Sequence, residues 1–204
     1  MFYLTKTPGI LKSLYKSCIW NFSPATNAVY LTFDDGPHPE ATPFVLEQLK
    51  KYDAKATFFC IGKNVVEHPD IYQQILLEGH AVGNHTHNHL NGWNTGTDKY
   101  IANIREAAGY IRSDLFRPPY GRISPFQVKQ LKQDYRIIMW DILSGDFDTD
   151  ITGEACVQNV VFKLQPGSIV VFHDSSKAWD RMQYALPRVL EHCKRKGWKL
   201  EAIV

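Results

Sequence analysis

Cysteine is scarce in this sequence: four in 204 residues (Cys18, Cys60, Cys156, Cys193), widely spaced and without a CxxC pair. That spacing excludes a zinc knot and a disulfide framework and reads as four separate thiols. An excess of charge of either sign is missing as well. Lys and Arg number 23 against 21 Asp and Glu, a net charge of +2, and the lysines are scattered. Neither nucleic acid nor a polyanionic partner is called for. No apolar run is long enough to span a membrane. Lys6, Lys12 and Lys16, with Pro8 among them, interrupt the N-terminus before an apolar secretory core can form. A cytoplasmic location is therefore the default expectation. Low-complexity linkers are absent, and the length suits one domain.

Strand-like and helix-like segments alternate through the chain. Apolar or β-branched runs at 29–33, 56–61, 81–83, 115–116, 135–140, 168–172 and 198–203 predict strands. Thr42 before Pro43, Pro69, Thr97, Ser124-Pro125 and Thr152 announce helices, and a last helix is expected over about 181–196. Residues 141–148 read as a polar loop. About seven βα units predict an α/β fold with a parallel sheet, either a small or incomplete barrel or an open doubly wound sheet. Asp34, Asp35, His85, Arg117, Asp141 and His173 all fall where a predicted strand ends. In both architectures that edge builds sites.

Two motifs carry the chemistry. Thr32-Phe33-Asp34-Asp35-Gly36-Pro37 ends the first strand, and His85-Thr86-His87-Asn88-His89 follows the third, about fifty residues later. One carboxylate and two imidazoles four residues apart suffice to hold a divalent metal and leave a position for water. The second carboxylate is then free to take the water's proton. Read alone, the Asp pair also suits a turn. His87 is out of phase and is expected to point elsewhere; His38 is a further candidate; His68, His80 and His192 read as structural. In Arg117-Pro118-Pro119-Tyr120 the double proline suits a kinked connection. It also suits a turn that aims the Tyr120 N–H into a cleft as an oxyanion donor, with Arg117 holding a carboxylate. His173 suits a hydrogen bond to neighbouring Asp174, or the role of general acid. A glycosidase also needs two carboxylates, but about 5–9.5 Å apart on different elements. Adjacent aspartates do not fit that.

In their order, these motifs resemble those of the polysaccharide deacetylase domain, the NodB homology domain of carbohydrate esterase family 4. The resemblance runs from Ala28 to Ile203. It implies a domain over 28–204 with residues 1–27 as an N-terminal extension packed on it, and a distorted, incomplete (β/α) barrel of about seven strands. It implies Asp34 as base, Asp35, His85 and His89 as metal ligands, Arg117 orienting the base and His173 as acid. In the fourth motif the family's D-x-x-D-W stands here as Leu143-Ser144-Gly145-Asp146-Phe147. Asp146 is retained and by resemblance tunes His173. Leu143 and Phe147 depart from the pattern, with Phe147 at the position of the groove-lining Trp. Pro119, Tyr120 and Phe147 are expected to meet the substrate. The implied cofactor is zinc, with cobalt, nickel or manganese as alternatives. The implied partner is an N-acetylated carbohydrate, deacetylated to acetate and a free amine. Another amide or imide hydrolase, an O-acetyl esterase and a non-catalytic carbohydrate-binding domain are the rival readings.

Overall fold

The computed structural model describes residues 3–204; Met1 and Phe2 of the expected extension lie outside them. The elements run α1 (Gly9–Leu14), β1 (Ala28–Asp34), α2 (Ala41–Lys51), β2 (Thr57–Cys60), α3 (Gly62–Glu67), α4 (Pro69–Leu77), β3 (Ala81–Asn84) and α5 (Thr97–Ala108). There follow β4 (Leu115–Phe116), α6 (Pro125–Leu131), β5 (Arg136–Ile137), β6 (Ile142–Leu143), α7 (Gly153–Val161), β7 (Ile169–His173), α8 (Trp179–Arg195) and β8 (Lys199–Leu200). Strands pair in the order β5-β4-β3-β2-β1-β7-β6, all parallel, and β8 pairs with the start of β1. The sheet curls into the incomplete barrel with helices outside. No described helix is long and apolar enough to cross a membrane.

All seven residues of β1 are buried. A central parallel strand is covered on both faces, which is why it reads as one apolar run. Its side chains nonetheless alternate. Val29, Leu31 and Phe33 face the outer core, against Leu46 and Leu49 of α2, Val160 of α7 and Met182, Leu186 and Val189 of α8. Each such Leu or Phe contributes about 1.5–3 kcal/mol on burial. Ala28 and Tyr30 face the barrel interior with Phe59, Leu115, Ile138 and Ile169. The same period of two carries Thr32 and Asp34 onto the interior face at the top of that column. On β7, Ile169 faces the interior while Val170 and Phe172 face the helices, so Val171 and His173 also turn inward. Asp34 and His173 are register partners.

The sheet's two end strands, β5 and β6, do not pair with each other among the described residues. The N-terminal segment bonds to both. Ile19 N–H donates to Ile137 O at 2.8 Å and Met139 N–H to Ile19 O at 2.7 Å. Thr7 N–H donates to Asp141 O at 2.9 Å and Leu143 N–H to Thr5 O at 3.1 Å.

Several local expectations give way to tertiary contacts. Thr42 is not the α2 N-cap. The helix starts at Ala41, whose N–H donates to His38 Nδ1, and the Thr42 hydroxyl donates to Asp174 instead. Thr97 lies inside α5, after Gly96, and makes no side-chain cap. Thr152 and Ser124 do cap their helices, Ser124 in a full capping box. The stretch read as a polar loop contains β6, because Ile142 faces the outer core and pairs with Val170. Asp141 therefore precedes a strand rather than ending one. Its carboxylate is buried away from the cleft between Lys6 and Lys12. The predicted last strand shrinks to β8, since only Lys199 and Leu200 meet β1.

Candidate active site

Asp34 reaches the cleft as the last residue of β1. Its Oδ1 accepts from Arg117 Nη1 at 2.7 Å, and its Oδ2 lies 4.0 Å from His85 Nε2. Arg117 follows β4 directly and is fully buried over the Phe59 ring. Its other donors are used on Thr32 Oγ1 (2.6 Å), Ile138 O (3.2 Å) and Met139 O (3.1 Å). A guanidinium held at this many points fixes the carboxylate it faces.

Asp35 turns out of the strand with φ 81°, and Thr86 and His89 take φ values of 65° and 54°. Such left-handed conformations are uncommon for residues with a Cβ. Here hydrogen bonds hold them: Asn64 Nδ2 donates to Asp35 O at 2.7 Å, Thr86 N–H to Asn84 Oδ1 at 2.9 Å, and His87 and Asn88 N–H to Asn103 Oδ1. The result brings Asp35, His85 and His89 ligand atoms within 4.8 Å of one another. His85 Nδ1 lies 2.8 Å from Arg117 O, which only accepts. Nδ1 therefore carries the proton, and Nε2 presents a bare lone pair. Burial pushes the His85 pKa down to about 4, against the charge of Asp34, leaving the neutral ring a metal requires.

Asp35 Oδ1 is buried without a hydrogen bond, 3.1 Å from His89 Nε2 and 3.6 Å from His85 Nε2. A buried carboxylate oxygen without a donor calls for a partner. A divalent cation satisfies it and both rings together, so these three residues fit a metal. Burial pushes the Asp35 carboxyl up, but the close His89 ring and the charges of His173 and His85 outweigh it. The carboxyl sits below the usual range.

Across the cleft, His173 is held by Asp146. Asp146 Oδ1 lies 2.7 Å from His173 Nδ1, and Oδ2 accepts the His173 N–H at 2.7 Å. Burial lowers the ring's pKa, but the charge and hydrogen bond of Asp146, with Asp35 and Asp34 behind, raise it to about 9. Nδ1–H points at Asp146, so Nε2 is the ring atom left for the cleft. Phe147 stands edge-on to His173 with ring centroids 5.3 Å apart.

The cleft between the two groups has a volume of about 740 Å³, within the range of small-molecule sites. Asp34, Asp35, His85, His89, Tyr120, Phe147 and His173 line it; Arg117 and Asp146 stand behind the groups they hold. Tyr120 has φ 60°, and its exposed ring lies 4.6 Å from that of His89. Among the described residues its N–H meets no acceptor, while the next two N–H groups fold back onto Pro118 O and Pro119 O. Pro119 is buried in that turn and does not line the cleft. His87 turns away, 3.3 Å from Glu106, and His38 serves α2.

Three contributors escape sequence reasoning. Asp174 does not bond His173. It is fully buried, accepting from Gly36 N–H (3.1 Å) and Thr42 Oγ1 (2.5 Å). It packs so closely that a Cβ on Gly36 would sit 2.0 Å from its Oδ2. Burial pushes its carboxyl up to about 8. Trp140 lines the cleft; an aromatic closing a predicted strand was the available signal. Tyr3, Leu11 and Tyr15 line it from the N-terminal segment, for which no local signal exists.

A family model described as polysaccharide deacetylase matches residues 23–135. A peptidoglycan-N-acetylglucosamine deacetylase of Bacillus cereus is 34% identical over 191 residues, 90% of each chain. A chitooligosaccharide deacetylase of Azorhizobium caulinodans is 35% identical over 158 residues, 72% of this chain and 74% of that one. The crystal structure of a peptidoglycan N-acetylglucosamine deacetylase in complex with 4-naphthalen-1-yl-N-oxidanyl-benzamide superposes with a TM-score of 0.89. It is 30% identical and covers 97% of this chain and 95% of that one. The fold, the matched residues and the likeness over nearly the whole length agree: the chain belongs to the polysaccharide deacetylase family.

Proposed function

We propose that this protein is a metal-dependent hydrolase that removes the acetyl group from an N-acetylated sugar, releasing acetate and a free amino sugar. One observation carries the reading. Three converging ligand atoms share one cleft with a carboxylate fixed by a buried guanidinium and an imidazole fixed by a buried carboxylate. Asp35, His85 and His89 would hold the ion, and one carboxylate with two imidazoles suits zinc, with cobalt, nickel or manganese as substitutes. The chemistry a bound ion supplies there is polarisation of the acetyl carbonyl and acidification of the attacking water.

Asp34 takes the water's proton through Oδ2, the oxygen that Arg117 leaves free. Arg117 is a positioning residue that keeps this carboxylate aimed. The Tyr120 N–H donates to the developing oxyanion. As the C–N bond breaks, His173 delivers its Nε2 proton to the departing nitrogen, because an amine leaves poorly without one. Asp146 positions His173 and favours its protonated form. The departures at Leu143 and Phe147 fall on the cleft wall, not on base, ligands or acid. The relatives are named for N-acetylglucosamine in peptidoglycan and for chitooligosaccharides, which supports an N-acetylglucosamine unit as the reacting sugar.

Mass spectrometry of chitooligosaccharides and peptidoglycan fragments tests this. Loss of acetyl groups is expected, abolished by a chelator and restored by adding back one of these ions. No loss from any N-acetylated sugar, with each ion supplied in turn, would overturn it.

A further inference from the structure

The N-terminal segment is held in place beyond what core packing requires. α1 buries none of its residues. Yet Lys6 and Lys12 grip the two oxygens of one buried carboxylate, Asp141, at 2.5 and 2.7 Å. The Thr7 hydroxyl donates to Trp140 O at 2.7 Å, Lys163 bonds the Thr5 hydroxyl, and Thr5 and Thr7 pair with the backbone around β6. These anchors turn Tyr3 and Leu11 toward the cleft, and both line it. The Tyr3 ring lies 5.1 Å from that of Phe147, which in turn lies 5.3 Å from His173. A Cβ on Gly145, itself at φ 80°, would come 2.8 Å from the Tyr3 hydroxyl, so the glycine admits that hydroxyl.

Tyr3 is thus one ring removed from the group that delivers the proton. That distance is too great for the reacting acetamide and suits the next unit of a chain. The cleft volume of about 740 Å³ also exceeds what one acetamido group occupies. A pyranose presents an apolar face, which the Tyr3 ring, its hydroxyl turned onto Gly145, and an aliphatic neighbour complement. We infer that the segment from Tyr3 to Leu11 is a specificity wall, with Tyr3 and Leu11 binding sugar units that flank the reacting one. This rests on the deacetylase reading.

The test compares kcat/KM on the disaccharide and the tetrasaccharide of N-acetylglucosamine for wild type, Tyr3→Ala and Leu11→Ala. Both side chains are partly exposed, and truncation leaves the segment's backbone bonds intact. The tetrasaccharide-to-disaccharide ratio is expected to fall roughly 10-fold in Tyr3→Ala, mainly through KM, and by less in Leu11→Ala. An unchanged ratio overturns the inference alone. That holds if both rates fall together, as a structural role through Phe147 would produce, or if neither falls. A wild-type protein that releases acetate from neither sugar overturns the deacetylase reading and this inference with it.

Discussion

The two sides of the cleft are built on different principles. Asp34, Asp35, His85 and His89 stand at or just beyond the ends of β1 and β3, with β2 between them in the middle of the sheet. Their backbones are set by near neighbours such as Asn84 and Asn103. His173 ends β7 beside β6, a two-residue strand at the sheet's end, and its surroundings come from Asp146, Phe147 and the N-terminal segment. The cations differ as well. Arg117 is charged at every accessible pH, whereas His173 titrates. A metal site needs fixed geometry, which local structure supplies. A proton donor needs a tuned pKa, which the buried Asp146 carboxylate supplies.

That contrast breaks most visibly at the ligands. His85→Ala or His89→Ala should remove bound metal and take acetate release to background, whereas His87→Ala, whose ring pairs with Glu106, should keep the metal. Metal analysis of the three purified variants checks this. Next in size is His173→Ala. It should keep its metal and lose roughly 10²–10⁴ in kcat on an acetamide, with a much smaller loss on an aryl acetate whose leaving group needs no proton. Equal losses on both would assign His173 to binding.

The smallest effect sharpens the contrast. In the metal-free protein His173 should titrate at about 9 by NMR, and Asp146→Asn should bring it to the ordinary imidazole value near 6.5 or below. Because the folded-state value is raised, the pair's contribution to stability is fully present below about 6.5 and is lost as pH climbs through 9. Thermal unfolding of wild type should therefore weaken across that window, and Asp146→Asn should show little of the change.

Legibility in the sequence follows the same division. The ligands and base lie in two contiguous motifs at the ends of apolar strands, so spacing and period alone bring them to one edge. Which face of these strands turns inward is not legible, because β1 is buried on both sides. Arg117 is legible as a charge at a strand end, although its burial over Phe59 is not. The other side is hidden because its determinants are distant in sequence. β6 escapes notice since two residues carry no pattern. Asp141 looks like an edge carboxylate until Lys6 and Lys12 fold back on it. Thr42 has the chemistry of a cap and is drawn instead to Asp174, on the far side of the chain.

The account's central claim is that adjacent carboxylates do separate jobs: Asp35 holds the ion and Asp34 moves the proton. Metal content measured alongside kcat in Asp34→Asn and Asp35→Asn, across a metal titration, tests it directly. Asp34→Asn should stay loaded and lose roughly 10²–10⁴ in kcat at every metal concentration. Asp35→Asn should lose metal and recover part of its activity as metal is raised. Loss of metal from Asp34→Asn with full loading of Asp35→Asn would contradict the account.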